Sequence, residues 1–182
     1  MKTQTKLVLH KPYRAMDVAN YLIAYFVKQD KPIVNLLLIK ILYYLQADFL
    51  RQTKEPLFDD TIEKWGYGPM IPNVYSYFKS YGAAPITQSA DYVITNEDRS
   101  WTLIKPVNRT LDPADTSKII ALANEIYEQY HEHPFQIVEA THKEKLWQED
   151  KAEIIKDNMH IPYDNQEMIA YFSADNNWPW KN

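Results

Sequence analysis

The chain has 182 residues, a formal net charge of −4 and no cysteine. Its hydrophobic share of 46%, rich in aromatic residues, is enough to build a core and excludes a disordered protein. The missing cysteines exclude a disulfide framework and a thiolate zinc site, and the acidic balance argues against a general nucleic-acid partner.

The first two predicted elements are helices. Apolar residues recur at spacings of three and four over residues 15–26, and the polar segment 29–32 ends that pattern. The next segment, Ile33 to Leu50, is apolar enough to raise the question of a membrane span. Lys40 and Asp48 lie inside it and would be costly in hydrocarbon. We therefore expect a central helix buried in a globular protein.

A polar stripe is predicted along this central helix. Lys40, Tyr44, Asp48 and Arg51 follow one another at spacings of four, four and three, which places them on one side of a helix. Two interpretations are open. The stripe can be the solvated edge of the helix, or it can belong to a polar site.

The segment EKWGYGPMIP, residues 63–72, holds two of the three glycines of the chain. Glycine adopts backbone angles that are closed to other residues, and proline fixes its own φ angle. Gly66 and Gly68 therefore predict a sharp turn, with Pro69 and Pro72 fixing its exit. A helix is expected to begin at residue 71 or 72.

The turn holds two large aromatic residues, Trp65 and Tyr67. They can pack inward on the central helix or be displayed as an anchor for a partner. Large aromatics are usually buried, which favours packing, whereas an exposed Tyr67 would favour binding. The G-x-G spacing also suggests a phosphate loop, but neither G-x-G-x-x-G nor G-K-[ST] accompanies it.

The rest of the chain is predicted as helices with one β-hairpin. In chain order these are a short aromatic helix from Pro72 closed by Gly82, a hairpin of residues 92–95 and 101–104, a helix starting at Asp112-Pro113, a helix from Pro134 to about Gln148, and a short helix capped by Asp164. The tail, residues 173–182, is expected to be loosely ordered, with Trp178 and Trp180 docked. These elements predict a mainly α fold, a single compact helical domain with a small β-hairpin insertion.

Five separated segments, taken in this order, resemble the Panacea domain, also called the SocA-like antitoxin domain. They are VANY (18–21), LLIKILYYLQ (37–46), PLFD (56–59), WGYGP (65–69) and THKEKLW (141–147). The last is similar to the family's Thr-His-x-Glu-x-Pro-Trp motif. Lys64 and Leu146 depart from the family pattern, which usually has a small residue and a proline there. The resemblance spans about residues 13–172, so we expect one such domain across residues 1–182 with short tails.

The resemblance implies a function and a set of structural residues. Family members are typically antitoxins that are encoded beside a toxin gene and neutralise unrelated toxins by direct binding. One relative delivers its toxin to a protease, and others are phage-associated proteins. A cognate toxin is thus the expected partner, with a protease if the chain is an adaptor. The expected structural motif consists of Gly66, Gly68, Pro69, Thr141, His142, Glu144 and Trp147, with the last four bracing a helix against the core.

Two other functions stay open at this point. A DNA-binding or regulatory protein of a mobile element is suggested only by a basic start without a helix-turn-helix: Lys2, Lys6, Lys11 and Arg14. A metal-dependent hydrolase would use His142 and Glu144, but residues two apart on one helix point to different faces. The other histidines show no ligand spacing. We therefore expect no enzyme activity, no catalytic residue, no metal and no cofactor.

The expected partner site combines the polar stripe with the glycine turn, because the two lie close together in the chain. We expect them to border one groove that receives the toxin, through Lys40, Tyr44, Asp48, Arg51, Trp65 and Tyr67. The amino terminus lacks the apolar core and cleavage site of a secretory peptide. The cytoplasm is therefore the expected location, without membrane contact.

Overall fold

The computed structural model describes residues 6–174 and 176–180, so Lys2 lies outside the described residues. The fold is mainly α, as predicted. Eight α-helices occur in the described part of the chain: α1 Ala15–Lys28, α2 Asn35–Thr53, α3 Pro72–Phe78, α4 Pro113–Tyr130, α5 Phe135–His142, α6 Lys145–Gln148, α7 Lys151–Asp157 and α8 Asn165–Phe172.

Seven short strands form three small sheets among the described residues. The strands are β1 Leu7–Leu9, β2 Glu63–Trp65, β3 Gly68–Met70, β4 Tyr92–Thr95, β5 Trp101–Ile104, β6 Arg109–Leu111 and β7 Ile161–Pro162. β4 and β5 form the predicted hairpin. β1 pairs with β6 in parallel, and β2 lies between β3 and β7 in an antiparallel sheet. The sequence did not predict these last two sheets, because their strands are too short to show a period.

Helix α2 is the centre of the core. It packs against α8 and α4, and its buried residues continue without interruption from Leu37 to Leu50. Burial on all sides explains why the sequence of α2 is apolar around the whole helix. No helix in the described residues combines the length and apolarity that a bilayer crossing requires. The prediction of a central buried helix is confirmed.

Helix boundaries follow the predicted local signals at several points. The Asp112 carboxylate accepts a hydrogen bond from the Ala114 N–H at 2.9 Å, which caps α4 just before Pro113. Asp164 accepts from the N–H groups of Gln166 and Glu167 and caps α8 in the same way. Helix α3 begins at Pro72, where the turn was expected to end.

The single helix predicted from Pro134 to about Gln148 is wrong. α5 ends at His142, and the backbone of Glu144 is extended, with φ −68° and ψ 133°, before α6 begins. The break lets the Glu144 side chain enter the core, where two tyrosine hydroxyls bind it. A buried carboxylate needs such partners, and this requirement overrides the helical pattern of the segment.

The tail beyond α8 is not loose over its described residues. Trp180 is buried and its ring packs edge-on against Tyr44, with centroids 4.2 Å apart. Trp178 lies over the guanidinium of Arg51 at 4.1 Å. The expected docking of both tryptophans is confirmed, and the tail covers one side of α2.

Candidate partner-binding site

The glycine turn is a tight β-hairpin connection held by a lysine from the core. Trp65 pairs with Gly68 at the end of the β2–β3 ladder, which leaves Gly66 and Tyr67 at the tip. The ammonium group of Lys40 donates hydrogen bonds to the carbonyl oxygens of Tyr67 at 2.5 Å and Pro69 at 2.7 Å. Lys40 itself is completely buried. The polar stripe and the turn therefore meet, but through a buried lysine and backbone carbonyls.

Gly68 is required by both its conformation and its surroundings. Its φ angle of +82° lies in the region that L-residues with a side chain rarely adopt. A Cβ atom there would lie 2.5 Å from Thr141 Oγ1 and 3.1 Å from Lys40 Nζ. The turn can approach Lys40 closely only because position 68 has no side chain.

Gly66 is different, and the expectation that it needs a special conformation is wrong. Its φ angle is not positive, and a Cβ atom there would meet nothing within 4 Å. Gly82 does adopt a positive φ of 56° after the short 3-10 turn that follows α3. Of the two glycines in the turn, only Gly68 is fixed by backbone geometry.

The second half of the site is a buried carboxylate. Glu144 accepts hydrogen bonds from the hydroxyls of Tyr43 and Tyr44, both at 2.6 Å. Glu144 and Lys40 are both buried, and the charge of each affects the pKa of the other. Burial raises the pKa of Glu144 to about 7, against the hydrogen bonds from the two tyrosines. Burial lowers the pKa of Lys40 to about 7, an effect that the charge of Glu144 partly offsets.

Residues of the THKEKLW segment link the turn to the core. Thr141 is fully buried and its hydroxyl donates to the Val138 carbonyl at 2.9 Å. The indole N–H of Trp147 donates to the carbonyl oxygen of Trp65 at 3.0 Å. The His142 ring stacks on Trp147 with centroids 3.9 Å apart, and burial lowers the pKa of this histidine. These contacts fit the bracing expected of the segment.

The structure places the side chains of His142 and Glu144 in different surroundings. His142 stacks on an indole, whereas both carboxylate oxygens of Glu144 accept from tyrosines. Across the described residues, no group of three or more His, Asp or Glu side chains is placed to hold a metal ion. The described residues therefore contain no constellation that supports the hydrolase hypothesis.

The remaining members of the polar stripe lie away from the turn. Asp48 is 7% exposed and accepts from Arg51 and Gln52, and Trp178 covers Arg51. Tyr44 is 1% exposed. The interpretation of the stripe as a solvated edge is wrong, because the tail and the core cover it. A partner cannot reach Lys40, Tyr44 or Asp48 in this conformation.

The two aromatics of the turn have opposite environments. Trp65 is half-buried, donates its indole N–H to Glu63 at 2.7 Å and stacks on His160 with centroids 4.1 Å apart. Tyr67 is 64% exposed and meets the equally exposed Phe135 edge-on, with centroids 6.4 Å apart. We call these two residues the Tyr67–Phe135 surface. Among the residues expected to bind a partner, Tyr67 is the one that the fold displays most openly.

Sequence reasoning missed the contact of Phe135 with the turn and the pairing of Lys64 with Asp150. Phe135 follows Pro134 as the first residue of α5, and nothing in the local pattern shows that it reaches the turn. Lys64 is buried, forms an ion pair with Asp150 and lies 5.2 Å from the centre of the Tyr163 ring. This pairing gives the buried ammonium group of Lys64 a counter-charge. The partner of Lys64 is an aspartate 86 positions away, so the sequence around Lys64 gives no sign of the pair.

Comparison with known proteins identifies the same family. The family described as "Antitoxin SocA-like, Panacea domain" matches residues 38–148, which include most of α2, the turn and the THKEKLW segment. The chain is 38% identical over 121 residues to "Antitoxin SocA" of Caulobacter vibrioides (strain NA1000 / CB15N), which covers 60% of this chain. It spans 64% of that relative's length. No solved structure matches.

Proposed function

Because the chain belongs to the antitoxin SocA-like Panacea domain family, we propose that it is an antitoxin that neutralises a cognate protein toxin by binding it directly. In this proposal residues 1–182 act as one domain without enzymatic activity or cofactor. The gene belongs to a toxin–antitoxin or phage-derived locus. The observation that supports a binding role most strongly is the exposure of Tyr67 on a turn that the core holds in place.

The Tyr67–Phe135 surface has the properties of a binding hot spot. Exposed aromatic side chains supply large contact area and lose little conformational freedom when they bind. The backbone of Tyr67 is already fixed, since its carbonyl oxygen accepts from the buried Lys40. Phe135 is fixed at the first turn of α5. Little conformational entropy is therefore lost when a partner covers this surface.

The surroundings of Phe135 indicate the charge of the partner. Phe135 lines an open pocket of about 330 Å³ together with Glu132, His133 and Glu139. Both carboxylates are on exposed residues and lie at the rim of the apolar contact. A basic face on the toxin complements this rim, and rim charges mainly accelerate association. We therefore propose that the toxin presents an apolar pocket flanked by lysine or arginine.

The test is co-expression with the toxin encoded by the neighbouring reading frame. Tyr67→Ala and Phe135→Ala should each weaken toxin binding by about tenfold or more and reduce growth rescue, since truncated anchors typically cost over 1 kcal/mol. The melting temperature should stay near wild type because both side chains are exposed. The matched control is Ile155→Ala, which truncates a residue that is 61% exposed on α7.

One outcome would contradict the proposal, and one would invalidate the assay. Full rescue by both aromatic variants would remove the Tyr67–Phe135 surface from the interface. An equal loss in the Ile155→Ala control would show that the assay responds to general surface change. Immunoblotting of the toxin in the same cultures separates occlusion, which leaves the toxin present, from delivery to a protease, which depletes it.

A further inference from the structure

A cleft lies between α1 and the sheet of β1 and β6. Its volume is about 540 Å³, which is within the range of small-molecule sites. One wall is a single stripe of α1, because the lining residues between Asp17 and Lys28 recur at spacings of three and four. Leu9, Val107 and Leu111 line the opposite wall. The cleft is therefore a concave site that shares no residue with the Tyr67–Phe135 surface.

An arginine is oriented inside this cleft. The Nε atom of Arg109 lies 3.1 Å from Oδ1 of Asp17, and its Nη2 donates to Oδ2 at 3.2 Å. Asp17 thus occupies one edge of the planar guanidinium and fixes its orientation. Nη1 has no partner among the residues that the structure describes, and 21% of the Arg109 side chain stays exposed. The second edge of the guanidinium is therefore available to an anion in the cleft.

The charged groups that line the cleft favour an anionic ligand. They are Lys6, Lys28 and Arg109 against Asp17 alone, in a chain whose net charge is −4. Within residues 6–174, neither lysine forms an ion pair. Other charged residues lie within two chain positions of the lining but not in it: Lys11, Asp30, Asp91, Lys105 and Asp112. A concave site lined mainly by one sign of charge concentrates the opposite charge.

Two tyrosines give the same cleft aromatic walls. Tyr21 and Tyr25 are one turn apart on α1 and half-buried, and the small side chain of Ala24 lies beside them. The Tyr25 hydroxyl accepts a hydrogen bond from Asn124 at 2.7 Å, which fixes its ring. In the described part of the chain, the Tyr21 hydroxyl has no partner. Fixed aromatic rings beside cationic groups are typical of sites that bind a base and its phosphate.

We propose that this cleft binds a mononucleotide as a ligand, with its phosphate at the open edge of Arg109. Lys6 directly precedes Leu7, which pairs with Arg109, so both cations border the same end of the cleft and share the phosphate. The base lies against Tyr21 and Tyr25. Lys28 is about three helical turns from Asp17, roughly 16 Å along α1, and donates to the edge of the base. This inference does not rest on the antitoxin proposal.

Calorimetric titration of the full chain with AMP, GMP, CMP and UMP tests the site. At least one of them should bind with one-to-one stoichiometry and a Kd below about 1 mM. The matching nucleoside without phosphate and inorganic phosphate alone should each bind at least about tenfold more weakly, because each lacks one half of the contacts. Added NaCl should weaken binding of the nucleotide, since its phosphate contacts are ionic.

Variants assign the binding to the cleft. Arg109→Lys keeps a positive charge beside Asp17 but lacks the second edge, and should weaken nucleotide binding by about tenfold or more. Lys6→Ala should weaken it in the same direction with an unchanged melting temperature, because Lys6 is exposed. Its result decides the matter if Arg109→Lys lowers the melting temperature. Lys118→Ala, at an exposed lysine of α4 outside the cleft, is the matched control and should bind as the wild type does.

Four results would overturn the proposal. One is the absence of saturable binding of all four mononucleotides up to about 5 mM, a very weak affinity. Another is equal binding of the nucleoside, which would remove the phosphate from the contacts. Unchanged nucleotide binding in both Lys6→Ala and Arg109→Lys would place it elsewhere. Binding of a single-stranded decanucleotide at least about tenfold more tightly than any mononucleotide would replace the small ligand with a nucleic acid.

Discussion

At the residue scale, different physical constraints act on the two glycines of the turn. Gly68 combines a positive φ with a site where a Cβ atom would collide with Thr141, whereas Gly66 has neither constraint. Both positions are glycine within the same WGYGP segment, so the sequence pattern treats them alike. The difference arises from Thr141 and Lys40, which other parts of the chain bring to the turn.

Substitution of each glycine by alanine separates the two cases. Gly68→Ala should lower the free energy of unfolding by about 1–3 kcal/mol, because a side chain at positive φ is strained. Thr141 and Lys40 must also move to admit the new methyl group. Gly66→Ala is the matched control and should stay within about 0.5 kcal/mol of wild type. Urea denaturation of both variants measures the effect, and equal melting behaviour of the two would refute the steric explanation.

At the scale of elements, the buried polar groups connect α2 to the turn and to the α5–α6 junction. Lys40 holds the turn through two carbonyls, and Tyr43 and Tyr44 hold Glu144. A buried polar network of this kind is costly unless its members are satisfied. The display of Tyr67 at the surface is therefore coupled to charged groups inside the core.

This coupling predicts opposite pH dependences from two residues. The pKa of Glu144 rises from 4.5 to about 7 on folding, so over that range the folded protein binds more protons there. The stability that Glu144 contributes therefore falls as the pH rises from 4.5 to about 7. The pKa of Lys40 falls from 10.5 to about 7, so the unfolded chain binds more protons, and its contribution rises between about 7 and 10.5.

Urea denaturation across pH should resolve the two contributions. Glu144→Gln should remove the fall in unfolding free energy on the acidic side of neutrality, and Lys40→Met should remove the rise on the alkaline side. Lys40→Met should also be less stable by about 1–3 kcal/mol or more, because the carbonyls of Tyr67 and Pro69 lose their donor. Unchanged pH slopes in both variants would show that these groups titrate as they do in the unfolded chain.

The elements that the sequence predicted are those with local causes. The β4–β5 hairpin, the caps at Asp112 and Asp164 and the start of α3 all depend on a few neighbouring residues. The break between α5 and α6 depends on tyrosines about 100 positions away, so the local helical pattern does not show it. The meeting of Tyr67 with Phe135 is also a long-range contact, and only half of the candidate surface was therefore predicted.

At the scale of the whole molecule, the fold decides which predicted binding residues remain accessible. The tail and core cover Tyr44 and Asp48, and Lys40 is internal, while Tyr67 stays exposed beside Phe135. Family membership points to an antitoxin. In the function proposed above, the exposed aromatics are the rigid place where the toxin docks. The interior residues would then act on the toxin only through the turn that they support.

Hydrogen–deuterium exchange of the full chain with and without its cognate toxin tests this proposal most directly. If the toxin docks on the Tyr67–Phe135 surface, backbone amides in residues 66–69 and 134–139 should become protected, whereas those around Ile155 should not change. Protection should disappear in the Tyr67→Ala/Phe135→Ala variant at toxin concentrations that saturate the wild type. Toxin binding that protects other segments and leaves these two unchanged would contradict the proposed site.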